Sequence, residues 1–170
     1  MKTTTTALLE DLAIAPVAGV LATKAMEPVS TTLYQLESEP DRAREDAARP
    51  GPPYRIAADK TLRLLGIHPG DRALDRAGLF FHYGLAISWA PVYALTRRTT
   101  GLSPVAAGLA SGAAMSLIVD EGITPLAGFS APNRAYPAAT HLRGLAAHLV
   151  YGLAVAAVTE TAWALRHRRP

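Results

Sequence analysis

Charge is spread so unevenly along this chain that it limits what the chain can fold into. Eight basic residues (Arg42, Arg44, Arg49, Arg55, Lys60, Arg63, Arg72, Arg76) and eight acidic ones (Glu37, Glu39, Asp41, Glu45, Asp46, Asp59, Asp71, Asp75) fall between positions 36 and 77. Four segments elsewhere are nearly free of charge: roughly 12–34, 78–96, 102–125 and 142–165. A helix needs about 20 mainly apolar residues to cross a bilayer, and each segment meets or approaches that length. The first is the least regular, because Lys24, Glu27 and Pro28 lie inside it. The pattern predicts an all-α, polytopic membrane protein, a single membrane domain over 1–170 folded as a four-transmembrane-helix bundle. The apolar fraction of 49% would not require this; the segregation of charge does.

The connections carry their own signals. Residues 37–55 are too charged and proline-rich to pack as core and read as a loop. Residues 56–66 place Ile56, Leu62 and Leu65 near one face, the pattern of a short amphipathic helix between spans 1 and 2. Arg97-Arg98-Thr99-Thr100-Gly101 reads as a tight basic turn, with Gly101 and Gly122 as turn or cap glycines. The connection 126–140 is apolar but broken by Pro132 and Pro137. Small residues recur four apart (Ala18 and Ala22, Gly108 and Gly112, Gly152 and Ala156), which lets helix backbones approach closely inside a membrane.

Several function classes drop out. With no cysteine, thiol catalysis, iron–sulfur clusters and Cys-ligated zinc are excluded. There is no HExxH or GxSxG motif, and no reaction can be read from the chain. No basic stripe interleaved with aromatics supports nucleic-acid binding, and the basic tail Arg166-His167-Arg168-Arg169 suits anionic lipid headgroups instead. Glu10 and Asp11 interrupt any signal-peptide core, so the first apolar segment is expected to be retained. Four spans would put the N-terminus, the Arg97-Arg98 turn and the tail on one side. The positive-inside rule favours that side as cytoplasmic.

Ionisable groups inside spans are costly and are functional candidates by default. Counting depth along the spans puts Glu27, His82, Asp120, Glu121 and His148 within about 6–11 Å of one membrane boundary, at 1.5 Å per residue. His141 lies just outside it. Each of the four helices thus contributes a carboxylate or an imidazole to one polar layer, and only Glu160 lies near the opposite end, with Glu10 and Asp11. Three readings suit such a layer. Glu27, His82, Asp120, Glu121, His141 and His148 could ligate a divalent metal (Zn, Fe or Mn), with haem a weaker fit because there is no attachment motif. The same groups could relay protons or ions. They could also fasten helices together by buried hydrogen bonds, Lys24 pairing with Glu27 among them. His141 and His148 are seven apart, about 10 Å along a helix axis, which works against their sharing one metal ion. A further class is a homo-oligomer or a subunit or assembly factor of a larger membrane complex, docking through the small-residue faces.

The run Val119-Asp120-Glu121-Gly122 with Pro125, then Gly128-Phe129-Ser130-Ala131-Pro132, Tyr136-Pro137, Thr140-His141-Leu142-Arg143-Gly144, His148 and Tyr151-Gly152, resembles the YagU-like family of small bacterial inner-membrane proteins. Ala18-Gly19 with Ala22-Thr23 and Met26, and His82-Tyr83-Gly84, add to the resemblance. It covers most of residues 15–160 by pattern. It implies a four-span protein of the bacterial inner membrane, of unknown function, with a suggested link to acid tolerance in one branch. It supplies no catalytic residues.

Overall fold

The computed structural model describes residues 5–167, the side chain of His167 excepted. Its elements are helices: α1 (Thr5–Leu36), α2 (Glu39–Ala48), α3 (Pro53–Leu64), α4 (Asp71–Thr100), α5 (Pro104–Met115), a π-helical stretch (Ser116–Ile123), α6 (Thr124–Leu126), a 3₁₀ turn (Asn133–Ala135) and α7 (Ala138–His167). The chain is all-α, as its sequence predicts. Three helical stretches, Thr5–Leu36, Pro104–Leu126 and Ala138–Arg166, are long and apolar enough to cross a membrane. The 30-residue α4 carries charge at both ends, but its middle, residues 77–96, has no Asp, Glu, Lys or Arg.

α1 packs on α7 and α4, α5 packs on α7, and α3 packs on α4. Small residues set these distances. A Cβ on Gly19 would sit 2.8 Å from the backbone of Ala86 and Ile87, and one on Gly108 would sit 2.9 Å from the carbonyl of Gly152. Gly112 and Gly152 press equally hard on the backbone of the facing helix. Ala18, Ala22, Ala86, Ala90 and Ala107 fill the centre at 0–4% exposure. The outward faces are the reverse: Leu21, Phe80, Leu95, Leu117, Leu142 and Leu165 all lie exposed. Apolar surface on that scale fits a lipid environment.

One end of the helix assembly is closed by ion pairs. Arg98 donates to both carboxylate oxygens of Asp11 at 2.9 Å, and both side chains are 5% exposed. Trp163 donates to the same carboxylate, and the Arg98 guanidinium stacks 4.4 Å from its ring. Beside them Glu160 accepts from Tyr93 and Arg97, and Arg166 pairs with Glu10. The two ends of α1 and α7 and the Arg97-Arg98 pair expected to share one side therefore do share one end of the molecule.

Four local expectations change. The stretch 37–55 is not all loop: Ser38 caps α2 by accepting from Asp41 N–H, and Glu39 and Asp41 sit in its first turn, where negative charge favours a helix. The amphipathic helix starts earlier, at Pro53, because proline is suited to the first helical turn. Arg97 and Arg98 belong to the last turn of α4 rather than to a turn, and Gly101 (φ 69°) ends the helix in the left-handed conformation. Gly122 lies within the π-helical stretch instead of capping a helix. The Arg168–Arg169 part of the basic tail lies outside the described residues.

Gly152→Ala is expected to force α5 and α7 apart. Overpacking of this kind costs about 1–3 kcal/mol, so the melting temperature in detergent should fall by several degrees. Gly84→Ala, where an added Cβ meets nothing within 4 Å, should leave it unchanged or raise it.

Candidate functional site

At the end opposite the Asp11–Arg98 closure, the helices splay around a cavity of about 680 Å³. Its walls are mostly apolar, with Met26, Phe81, Leu85, Met115, Val119 and Ala147 among them. His82, Asp120, Glu121, His141 and His148 all line it. The polar layer inferred by counting depth is therefore a physical one, with one exception. Glu27 does not line the cavity. It is 43% exposed, held by Lys24 Nζ at 2.9 Å, and its carboxylate lies 3.9 Å from Nε2 of His82, which does line the cavity.

Within the layer the groups pair two by two. Glu121 Oε1 lies 2.7 Å from His141 Nδ1, and Asp120 Oδ2 lies 3.3 Å from His148 Nδ1. The register of α5 on α7 explains this. The helices run antiparallel, with Gly108 against Gly152 and Gly112 against His148, so the chain beyond α5 passes the start of α7 in reverse order. Asp120 and Glu121 then meet His148 and His141 respectively. They do so from a π-helical stretch, whose wider turn shifts where successive side chains point; such stretches recur at functional sites. Asn133 Nδ2 donates to the backbone carbonyl of Glu121, and His141 Nε2 lies 3.2 Å from the carbonyl of Asn133. These contacts tie the 3₁₀ turn to the same corner.

Among the described residues, no group of three or more His, Asp or Glu side chains is placed to hold one metal ion. The six-residue metal-ligand set therefore resolves into separate His–carboxylate pairs. The cause is geometric: His141 and His148, seven apart on α7, face two different carboxylates on the facing segment, and Glu27 lies beside His82 alone, at 3.9 Å.

A second cluster, which depth counting did not find, roofs the cavity. Arg143, 8% exposed, donates to both oxygens of the fully buried Glu45 at 2.6 and 2.7 Å and pairs with Glu37. Arg49 also pairs with Glu45, and Thr140 donates to it at 2.7 Å. The Arg143 guanidinium lies 5.1 Å from the Tyr34 ring, and Tyr34 in turn donates to Asp46. Arg44 reaches the carbonyls of Arg134 and Ala135, and Lys60 those of Ala127 and Gly128. Together these contacts strap α2 and α3 across the cavity mouth. Below α3, Arg55 bridges Asp75 and Asp71, whose hydrogen bonds, that to Asp75 foremost, raise its pKa above the ordinary arginine value. One signal for the strap was present in the sequence: Arg143 near the start of an apolar segment needs an acid, and acids are densest in the stretch 37–46.

Searches against protein-family models, curated proteins and solved structures returned no match to this chain.

Removing one member of a buried ionic cluster leaves the rest uncompensated, at about 3–5 kcal/mol. Arg143→Met should therefore destabilise the fold strongly, towards the lower end because Arg49 still reaches Glu45. Adding Glu45→Gln to Arg143→Met should restore part of the loss. Thermal unfolding of the single and double variants checks both.

Proposed function

We propose that this chain is a four-span integral membrane protein that binds a small amphipathic molecule in the cavity at one membrane face. The observation that carries the reading is the shape of the space. About 680 Å³ of mostly apolar cavity with a few converging polar groups matches the roughly 300–1,000 Å³ of ordinary small-molecule sites. It ends blindly. Below it lie Tyr151, 1% exposed with its hydroxyl on the Ala86 carbonyl, then the alanine layer, then the Asp11–Arg98 and Glu160–Arg97 pairs. A pocket of this form holds a ligand; a path for ions would need an opening through the alanine layer.

In this reading α4 is the span that completes four, with its uncharged middle in the hydrocarbon and its charged ends at the two interfaces. The termini and the Arg97-Arg98 end face the cytoplasm, and the cavity opens to the other side. The resemblance to the YagU-like family agrees with four spans in a bacterial inner membrane. The acid-tolerance link in one branch of that family fits ionisable groups gathered at one end of the bundle.

The absence of cysteine makes a direct test available. Single cysteines are placed at Ser30 and Thr124, which line the cavity, and at Ala90 and Ala156 in the packed layer. A water-soluble maleimide should label the first two and spare the second two. Labelling of Ala90→Cys and Ala156→Cys would mean a continuous aqueous path and would replace ligand binding by ion passage. Cysteines at Leu65 and Leu126 should be reached from one side of the membrane and a cysteine at Thr99 from the other; any other pattern removes the four-span topology.

A further inference from the structure

The charges around the cavity are balanced with one exception, and that exception points to the ligand. Arg143 and Arg49 are taken up by Glu37 and Glu45. Glu121 is held by His141. Among the carboxylates that line the cavity (Glu45, Asp120 and Glu121), Asp120 is the one whose needs are least met. Its one close polar neighbour, His148 Nδ1, lies nearer the Gly144 carbonyl (2.8 Å) than the carboxylate (3.3 Å). A ring nitrogen with a single hydrogen serves the carbonyl first, and among the described residues no hydrogen bond reaches Asp120. The carboxylate is 40% exposed, and that exposure opens onto the cavity it lines.

The surroundings of this acid are aromatic. Tyr54, Phe81, His82, Phe129 and Tyr136 line the same space, with the Tyr54 and His82 rings 5.0 Å apart. Aromatic faces attract cations, most strongly where water is excluded. Among the described residues one ammonium already uses one of these faces, since Lys60, which donates to the carbonyls of Ala127 and Gly128, stands 5.8 Å from the Phe129 ring. The guanidiniums of Arg143 and Arg49 are committed to Glu37 and Glu45, which leaves Tyr54, Phe81 and Tyr136 to an outside cation. A single under-satisfied carboxylate, several aromatic faces and apolar walls together describe a receptor for a cation with a large apolar body.

We propose that the cavity binds lipophilic organic cations, hydrophobic amines or quaternary onium compounds, with the positive centre against Asp120 and the apolar body against the aromatic and aliphatic walls. This rests on reading the cavity as a ligand site and adds the class of ligand. An anion would meet Asp120 and Glu121 without a free cation to receive it. A neutral apolar molecule would leave Asp120 as it is.

The test uses three probes of similar bulk on the purified full-length chain in detergent: tetraphenylphosphonium, neutral triphenylphosphine oxide and anionic tetraphenylborate, measured by equilibrium binding. The expected result is saturable binding of tetraphenylphosphonium, at least tenfold tighter than either of the others. It should weaken tenfold or more in Asp120→Asn and persist in part in Asp120→Glu. Because the charge series is read on the unaltered chain, it decides the question even if Asp120→Asn does not fold. Equal binding of the phosphonium and the phosphine oxide would overturn the preference for cations and leave the ligand site standing. So would failure of all three probes while cysteines at Ser30 and Thr124 still label. Failure of all three together with no labelling at those positions would remove the ligand site itself.

Discussion

The contact between α5 and α7 governs the rest of the molecule. Gly108, Gly112 and Gly152 bring two helix backbones so close that no side chain fits between them. Inside a lipid phase there is little hydrophobic gain from moving one apolar helix onto another, so association depends on close van der Waals packing. Glycine at these positions supplies it, and it does more than hold two helices together. A backbone-to-backbone crossing has a sharply defined register, because any slide drives a carbonyl into a Cβ. That register delivers Asp120 to His148 and Glu121 to His141. The polar chemistry of the cavity is downstream of a steric fit that begins about two turns back along the chain, at Gly112.

The two ends of the molecule use charge in opposite ways. At the Asp11 end, arginines, acids, Tyr93 and Trp163 are matched nearly completely and close the structure. At the other end the matched charges lie in the strap, where Arg143 and Glu45 fix α2 over the opening. The groups inside the cavity are matched less well. Ions repay their desolvation only when their partners are complete, and among the carboxylates that line the cavity Asp120 is the incomplete one, where an outside partner would add most. The strap and the cavity share a wall, since Glu45, Arg49, Tyr54 and Arg143 line the cavity as well.

Residues 5–167 were legible in the sequence to different depths. Hydropathy located the long helices to within seven residues at either end, since length and apolar content are local quantities. The convergence of His82, Asp120, Glu121, His141 and His148 followed from rise per residue alone, because depth in a helix depends only on distance along the chain. The side of the helix on which Glu27 ends up did not follow. Rotation about a helix axis is set by packing, and α1 leaves that residue at the edge of the cavity, between Lys24 and His82, and out of its lining. The α2 segment was hidden for a related reason. Its composition is that of a solvated loop, and what makes it helical is the capping Ser38 together with an arginine about a hundred residues later in the chain.

By itself the sequence determined that the chain is helical, that it carries segments suited to lipid, and that its costly polar groups gather at one depth. Each of these is a one-dimensional property, fixed by composition and spacing. Tertiary structure alone decided that the gathered groups act as pairs around a blind cavity, that Arg143 and Glu45 lock a strap across it, and that one acid is left short of partners. Those outcomes depend on which helix faces which and in what register. That choice is made where glycines let α5 and α7 touch, and no local pattern records the partner that a glycine will meet.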